Sequence, residues 1–312
     1  MAVINGHNMA WMRVLRVTFT SQKYNLKMIF TQDDLTMSIK GDKYMGCLSD
    51  SCTITINNLT YAEIVNLIAG EFYDVVVECG YKSGYLQTIF KGGVLYITNS
   101  LNDRKTTVTT ILCGSELVAR FGQKRINLSL QSGINVFTAV KYVCERAGIP
   151  NSNVSPAFKE VVLHEIMNAN DTVGNWIDAL AKYDSSMITS ADDSLNSTVT
   201  IFDALKDTQK IHILSKDSID LSGGYPQLDT SGLTLTVMPT IPFHCGEIIQ
   251  IDPAMINIED NGTQNTGIFL DPKGQYMIYE MHYTLENRDS QFAIRMLCKS
   301  RSLLANVTTV RK

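Results

Sequence analysis

The sequence predicts a mainly β protein with a helical middle, an α+β chain in which two antiparallel barrels or sandwiches are bridged by a mixed α/β segment. The prediction depends on where the hydrophobic period changes. Apolar and polar residues alternate early and late in the chain, as in half-buried strands, and they recur at helical spacing only in between. We therefore divide the 312 residues into 1–112, 113–208 and 209–312, and the middle segment could lend a strand to the second barrel.

The first segment contains three short alternating faces with one helix between them. The predicted inward residues are Leu35, Met37 and Ile39; Cys52, Ile54 and Ile56; and Val75, Val77 and Cys79. The stretch 104–113, RKTTVTTILC, is rich in the β-branched residues that strands favour. Thr60 and Glu63 have the spacing of a capping box, which predicts a helix that ends at Gly70.

The middle segment predicts two amphipathic helices. The first is expected to be capped by Ser132 and to end at Gly148, with Pro150 beyond it. The second begins near Asp171, and Trp176 lies on its apolar stripe. Since each helix is apolar on one side only, we expect both to cover a sheet or each other.

Strand patterns return from about Ser197 and end in a hairpin at 275–301, QYMIYEMHYTLENRDSQFAIRMLCKSR. Strict alternation in the first arm predicts one core face and one opposite face. The predicted core residues are Met277, Tyr279, Met281, Tyr283 and Leu285, and the opposite residues are Tyr276, Ile278, Glu280, His282 and Thr284. In the return arm, Phe292, Ile294, Met296 and Cys298 share one face, with Ala293 and Leu297 on the other.

The second face of this hairpin is too apolar for a solvated sheet surface, which normally alternates cleanly. Apolar residues edged by arginine are typical of the buried part of a protein interface. We therefore predict Tyr276, Ile278, Ala293 and Leu297 as subunit-interface residues. The alternative is that the middle helices of the same chain cover this face.

Composition restricts the function classes. Hydrophobic residues make up 45% of the chain and charged residues 19%, the balance of a globular protein. The net charge of -4 predicts no sequence-wide attraction to nucleic acid or to an anionic membrane. No stretch approaches the roughly 20 apolar residues of a membrane-spanning helix, so no membrane insertion is expected.

The cysteines indicate a reducing compartment. There are seven, an odd number with no close CxxC pair, which argues against a disulfide framework. Cys52, Cys79 and Cys298 fall on apolar strand faces, where a reduced cysteine packs as a small hydrophobe. Since the N-terminus also lacks the order of a signal peptide, we expect the chain to be made and kept in a reducing cytosol.

A search for catalytic motifs finds no GxxxxGK[ST], GxGxxG, GxSxG or HExxH pattern. His164-Glu165 resembles the start of a zinc-protease motif, but Asn168 stands where the second ligand would be. His244 has no companion ligand at metal-site spacing. We predict no catalytic residue, no metal site and no bound cofactor.

Two pairs of carboxylates could be imagined in acid–base chemistry, Asp33-Asp34 and Asp192-Asp193. Both lie in polar runs between strand-like segments, where aspartate favours turns. We therefore interpret them as solvated loop residues. Trp176 could form a sugar-binding platform, but its place on a helix stripe favours a core position.

A succession of short motifs resembles the baseplate hub proteins of contractile phage tails. Members of that family often have an Asn-Leu-Ser/Thr corner, a short helix, a Val-x-Val strand ending in Gly-Tyr, an Ile-Phe-x-Gly strand, a late Pro/Gly turn and a final Gly-x-Tyr strand. The matching positions are Asn58-Leu59-Thr60, Val75 and Val77 with Gly80-Tyr81, Ile89-Phe90 with Gly92, the turn from Thr240 to Gly246, and Gly274-Gln275-Tyr276.

The resemblance implies two tube-type β-barrel domains per subunit and a homotrimer. Three copies of two similar barrels would present a pseudo-sixfold ring, which adapts a sixfold tail tube to a threefold spike and lets DNA pass. The implied partners are the tail tube protein, the central spike protein, other baseplate proteins and the tape measure protein. The implied location is the tail baseplate of the virion, after assembly in the host cytoplasm.

A channel for DNA should not hold phosphate tightly, and 31 acidic against 27 basic residues fit a non-adhesive wall. Other function classes remain open from the sequence. The chain could be another tail part, such as a hexameric tube or distal-tail ring, or a non-catalytic β-rich binding module. A cell-wall or glycan hydrolase would need paired carboxylates across a cleft.

Overall fold

The computed structural model describes residues 12–300 apart from short gaps. These gaps are 47–49, 73, 83, 85, 103–105, 122, 184–186, 194–197, 205–206, 208, 221–222, 259–269 and 289–290. For residue 102 and residues 187–193 only the backbone is described.

Strands dominate both ends of the chain, and most helical residues lie between them. The N-terminal part contains β1 (Arg13–Ser21), β2 (Leu26–Thr31), β3 (Met37–Tyr44), β4 (Ser51–Asn57), α1 (Tyr61–Ala69), β5 (Asp74–Tyr81), β6 (Gln87–Asn102) and β7 (Thr106–Ser115). The middle contains α2 (Glu116–Phe121), β8 (Arg125–Leu130), α3 (Val136–Ala147), β9 (Asn151–Val154), β10 (Met167–Thr172), α4 (Val173–Ala181), β11 (Met187–Asp193) and β12 (Thr198–Asp203). The C-terminal part contains β13 (Ile211–Ile213), β14 (Gln227–Leu228), β15 (Leu233–Val237), β16 (Ile248–Gln250), β17 (Asn257–Ile258), β18 (Gln275–Glu286) and β19 (Phe292–Ser300). The predicted class, mainly β with a helical middle, is confirmed.

Fourteen of the described strands form one continuous and mostly antiparallel sheet. Its main order is β17-β14-β15-β19-β18-β3-β4-β7-β6-β5-β1-β2, and β13 joins through β16, which pairs with β18. We call β1–β7 the N-terminal half-sheet and β13–β19 the C-terminal half-sheet. They meet where β18 pairs with β3, from Glu280 opposite Tyr44 to Glu286 opposite Ser38.

One hydrophobic core runs across both half-sheets, and the middle segment has a core of its own. The first contains Phe19, Ile54 and Phe90 from one half-sheet together with Ile249 and Tyr283 from the other. The second is built from α3, α4 and the strands around them, and it includes Trp176, which is buried as expected. The division at 112 and 208 into two barrels and a bridge stays a prediction, since one sheet joins the two outer segments.

β18 contains a β-bulge at Tyr279. On β19 the partners advance by one residue, from Cys298 to Leu297, while on β18 they advance by two, from Ile278 to Glu280. An extra residue in one strand reverses the alternation on either side of it. Strict alternation along this strand was therefore the wrong expectation.

Because of the bulge, Tyr276 and Ile278 join the same core as Met281, Tyr283 and Leu285, and both are 0% exposed within the single chain. Met277 lies on the other side of the sheet, where Phe202 and Ala204 from the end of β12 cover it. The placement of Tyr276 and Ile278 on the outer side was wrong, because it assumed an unbroken period of two. Neither side chain has exposed area left to offer a second subunit.

The start of α1 follows a local sequence signal, whereas the start of α3 depends on a contact with a distant residue. The capping box of α1 is confirmed, because Glu63 N–H donates to Thr60 Oγ1 at 3.3 Å and Thr60 N–H donates to Glu63 Oε2 at 2.8 Å. The predicted cap of α3 was wrong: Asn135 Oδ1 accepts from Thr138 N–H at 2.8 Å. Asn135 also forms a β-bridge with Val162, which keeps the chain extended up to that residue and delays the helix.

The described cysteines are free and buried, as expected of small core residues. Burial raises the pKa of Cys52, Cys79 and Cys144 to about 12 in each case, so these thiols stay protonated at neutral pH. A protonated thiol in a closed core is a poor nucleophile.

We predict that Ile278→Ala lowers the free energy of unfolding by about 3 kcal/mol, because it removes methylene groups from a closed core. The matched control is Leu297→Ala, at a half-buried position on the opposite side of the same hairpin, for which the loss should stay below about 1 kcal/mol. Urea denaturation of the three proteins measures both values. Equal effects of the two substitutions would contradict the bulged register.

Candidate interaction surface

Around the pairing of β3 with β18, the side of the sheet that faces away from the shared core forms a polar surface on strands of both half-sheets. Strand register aligns its residues in rows, such as Thr236–Arg295–His282–Asp42 and Ala293–Thr284–Lys40–Thr53. We call this surface the outer face. Its members are Ser38, Lys40, Asp42 and Tyr44 on β3; Thr53 and Thr55 on β4; Thr234 and Thr236 on β15; Glu280, His282, Thr284 and Glu286 on β18; and Ala293, Arg295, Leu297 and Lys299 on β19.

Polar side chains of neighbouring strands contact one another on the outer face. His282 Nδ1 lies 2.6 Å from Asp42 Oδ1, and His282 Nε2 lies 3.7 Å from Glu280 Oε2. The Lys299 ammonium lies 3.6 Å from the centre of the Tyr279 ring. Cross-strand side-chain pairs of this kind stabilise a sheet.

Short hydroxyl side chains fill the spaces between these charges. Ser38 Oγ donates to Glu286 Oε1 at 3.2 Å, and Thr53, Thr55, Thr234 and Thr236 supply further hydroxyls on β4 and β15. Part of the outer face lines an open concavity of about 820 Å³ with Thr236, His282, Thr284 and Arg295 among its walls. The surface is therefore concave, hydrophilic and close to neutral.

Of the four predicted interface residues, Tyr276 and Ile278 lie in the core, while Ala293 and Leu297 lie half-buried on the outer face. The structure brings the four to one hairpin but to opposite sides of it. Sequence analysis missed Asp42, His282 and Arg295 as a cross-strand row. The signal that could have found the outer face was the shared alternation of threonine and charge along β3, β4 and β18.

The histidine and the aspartate pairs that were weighed as metal ligands or acid–base groups lie in separate parts of the chain. His164 is exposed, and its backbone N–H donates to the hydroxyl of Tyr183. Asp33 and Asp34 are exposed in the turn after β2, where Thr31 Oγ1 donates to Asp34 Oδ2 at 2.7 Å. The side chains of Asp192 and Asp193 lie outside the described part of the chain. Within the described residues, His, Cys, Asp and Glu form no group of three that could hold a metal ion.

A partly buried polar cluster joins β13 to β16, and the sequence analysis did not predict it. Glu247 Oε2 lies 2.7 Å from His212 Nε2 and accepts the backbone N–H of His244 at 2.9 Å, while Glu247 Oε1 lies 3.5 Å from Lys210 Nζ. His212 is buried between two outward isoleucines, Ile211 and Ile213. This inverted pattern, with one polar residue inward and two apolar residues outward, is the sequence signal that could have indicated a buried polar contact at His212.

The cluster favours the ionised form of Glu247. Burial raises the pKa of this carboxyl, but the hydrogen bond from His212, the charges of His244 and His212, and the His244 backbone N–H outweigh burial and lower the pKa below its usual value. Because the pKa of Glu247 is lower in the folded chain than in the unfolded chain, its ionised form adds to the free energy of unfolding at a pH above the ordinary glutamate pKa. That contribution is lost as the pH falls through the lowered pKa.

Comparisons with known proteins identify the fold. No family model matches the sequence, and no curated protein sequence matches it. Among solved structures, a tail protein from Neisseria meningitidis superposes with a TM-score of 0.55 at 10% identity, covering 93% of this chain and 97% of that one. A 43 kDa tail protein of prophage MuSo2 from Shewanella oneidensis superposes with a TM-score of 0.56 at 9% identity, covering 93% and 98%.

The chain has the fold of phage tail proteins. The same fold extends to the E. coli c3393 protein, a component of the type VI secretion system with structural similarity to the T4 bacteriophage tail proteins gp27 and gp5. That superposition has a TM-score of 0.53 at 10% identity, covering 85% of this chain and 73% of that one. None of the described helices is long and apolar enough to cross a membrane.

We predict that Glu247→Gln lowers the free energy of unfolding at pH 7 by about 2 kcal/mol, because a charged acceptor for His212 is lost. The difference from the unmodified protein should persist above pH 4.3, the approximate ordinary pKa of glutamate, and shrink as the pH falls further, since both carboxyl and amide are then neutral.

Urea denaturation between pH 3 and pH 7 measures this pH dependence. Glu165→Gln, at an exposed glutamate outside the cluster, is the matched control and should show no such trend. A difference between Glu247→Gln and the unmodified protein that is constant over the whole range would contradict a lowered pKa.

Proposed function

We propose that this chain is a structural protein of a phage-type tail, namely the central baseplate hub of a contractile tail. In this role three copies form a homotrimer that adapts the sixfold tail tube to the threefold spike and lets DNA pass. The observation that carries the proposal is the outer face, which crosses from one half-sheet to the other through the β3–β18 pairing. A single subunit that contributes two sheet halves to one wall suits a ring of three copies with pseudo-sixfold symmetry.

The chemistry of the outer face suits the wall of a DNA channel. It carries three basic residues, Lys40, Arg295 and Lys299, and three acidic residues, Asp42, Glu280 and Glu286. A basic wall would release counterions from DNA and hold the phosphates tightly, whereas a balanced wall gives no such affinity. The threonine and serine hydroxyls between the charges keep the wall hydrated.

The partners in this proposal are further copies of the chain, the tail tube protein, the central spike protein, other baseplate proteins and the tape measure protein. DNA would be present only in transit, and no cofactor or membrane insertion is required. The location would be the virion baseplate, after assembly in the host cytoplasm. Ala293 and Leu297 remain candidate interface residues, because both are only half-buried within the single chain.

The division into tube-type barrels at 1–112 and 209–312 belongs to the same proposal. The half-sheets support it, since each is a group of mostly antiparallel strands and the two share one pairing. A second candidate is a tube or distal-tail ring, which would use the same fold as a hexamer. We propose a structural role in either case, and catalysis is no part of it.

We predict a homotrimer of about 104 kDa, three times the 34.7 kDa chain. Light scattering on the purified protein, alone and mixed with its spike protein, measures the mass. A hexamer would reject the hub in favour of a tube or distal-tail ring. A protein that stays monomeric in both conditions would contradict the assembly altogether.

We predict that the protein binds duplex DNA more weakly than micromolar at physiological salt, and that Asp42→Asn, Glu280→Gln and Glu286→Gln together create salt-dependent binding. The triple variant leaves three basic residues without balance, so the slope of log affinity against log salt should approach about -3. Fluorescence anisotropy with labelled DNA measures both proteins.

The matched control for the DNA experiment changes the same net charge elsewhere. Glu145→Gln, Glu165→Gln and Asp217→Asn remove three exposed acidic charges outside the outer face. If this control bound DNA as well as the outer-face variant, net charge alone would explain the result. Micromolar binding by the unmodified protein would count against a channel wall.

A further inference from the structure

A small cavity lies between the two half-sheets, and its volume is about 20 Å³. Strands β3, β6, β18 and β19 contribute to its walls, together with residues 241–244 of the loop that joins β15 to β16. We call this segment the β15–β16 loop. Because β6 belongs to the N-terminal half-sheet and the loop to the C-terminal one, the cavity lies where the two parts of the chain cover each other.

Gln87, at the start of β6, brings an amide to the wall of this cavity. Its side chain is 3% exposed, and neither Nε2 nor Oε1 has a nitrogen or oxygen partner among the described residues. Cys79 lies opposite on β5, and its thiol is close enough to the amide for a weak interaction. A glutamine amide can donate two hydrogen bonds and accept two, and a thiol is a poor partner for either. Most of the bonding capacity of Gln87 is therefore left for something other than the protein.

The energetics of a buried amide indicate what that partner is. An amide that leaves water without gaining a new hydrogen bond destabilises the folded chain. Native proteins commonly satisfy such groups with ordered water, provided that the site is polar and large enough. A buried water needs roughly 10–15 Å³ and two to four polar neighbours.

The cavity meets both conditions for water and is too small for an organic ligand. Its volume of about 20 Å³ has room for one water molecule or two. Gln87 offers both a donor and an acceptor, and four further polar side chains line the same space, namely Lys43, Thr88, His244 and Tyr283. Pockets for small organic molecules are much larger, roughly 300–1,000 Å³.

We propose that one or two water molecules bind in this cavity through hydrogen bonds to the Gln87 amide, and that they bridge β6 to the β15–β16 loop. The bridge joins the N-terminal half-sheet to the C-terminal one by polar contacts at the side of a mainly apolar core. It adds to the direct pairing of β18 with β3. The inference does not depend on the proposed hub or on its trimer.

A crystal structure of the unmodified full-length chain, at a resolution that shows ordered water, tests the proposal directly. We expect density for a water at about 2.7–3.2 Å from Gln87 Nε2 or Oε1, the range of an ordinary hydrogen bond. Lack of a water within that distance would overturn the proposal. So would an amide that turns away from the cavity and bonds to a protein group.

A variant tests whether the water holds the loop in place. Gln87→Met keeps the length of the side chain but removes its donor and its acceptor, so the water should be lost from the crystal structure of the variant. Amide hydrogen exchange in residues 241–246 should then become faster, by up to about tenfold, as expected for the loss of one hydrogen bond. The matched control is Gln131→Met, at an exposed glutamine just after β8, which should leave the exchange of this loop unchanged.

The melting temperature separates a hydrated amide from a dry one. Replacing a buried polar group that has no partner by an apolar group of the same shape stabilises a protein. A Gln87→Met protein that melts at a higher temperature, with unchanged exchange in the β15–β16 loop, would therefore overturn the water bridge. If Gln87→Met fails to fold, the crystal structure of the unmodified chain decides.

Discussion

The pairing of β18 with two successive neighbours along one edge is the constraint on which the rest of the sheet depends. β16 pairs with its first residues, Gln275–Met277, and β3 pairs with its later residues, Glu280–Glu286, while β19 follows the other edge. The bulge at Tyr279 lies where the strand passes from β16 to β3. There Ile278 N–H donates to the Glu247 carbonyl, and the Tyr279 carbonyl accepts from Met45 N–H at 2.9 Å.

This junction explains why the two half-sheets share one core. The bulge lets Tyr276 and Ile278 point inward beside Ile249, while Tyr283 points inward beside the N-terminal strands. Gly41 faces Tyr283 across the pairing, and a Cβ there would lie 2.0 Å from the tyrosine ring. A glycine is needed at that position because the ring occupies the space of a side chain.

The outer face has a different character from the shared core on the other side of the sheet. A surface of polar pairs and hydroxyls has little to gain from burial, because its polar groups would have to be desolvated. The hub proposal therefore uses the outer face for passage and not for contact between copies.

Local order was determined by the sequence alone. The capping box of α1, the left-handed Gly148 that ends α3, and the buried faces of β3, β4 and β5 all depend on interactions within a few residues or on a period of two. The helical middle and the β-rich ends were also predicted from the spacing of apolar residues, which is helical in the middle and alternating at both ends. The absence of familiar catalytic motifs was also visible at that level.

The tertiary structure decided which of two possible faces each part of β18 turns toward the core. A bulge is set by partners more than 200 residues away in the case of β3, and no local pattern in QYMIYEMHY specifies it. The same is true of Glu247, whose partners His212 and Lys210 come from another strand, and of Asn135, which caps α3 because a bridge to Val162 holds it. Contacts of this kind depend on strand register, and register is fixed only when the whole sheet has formed.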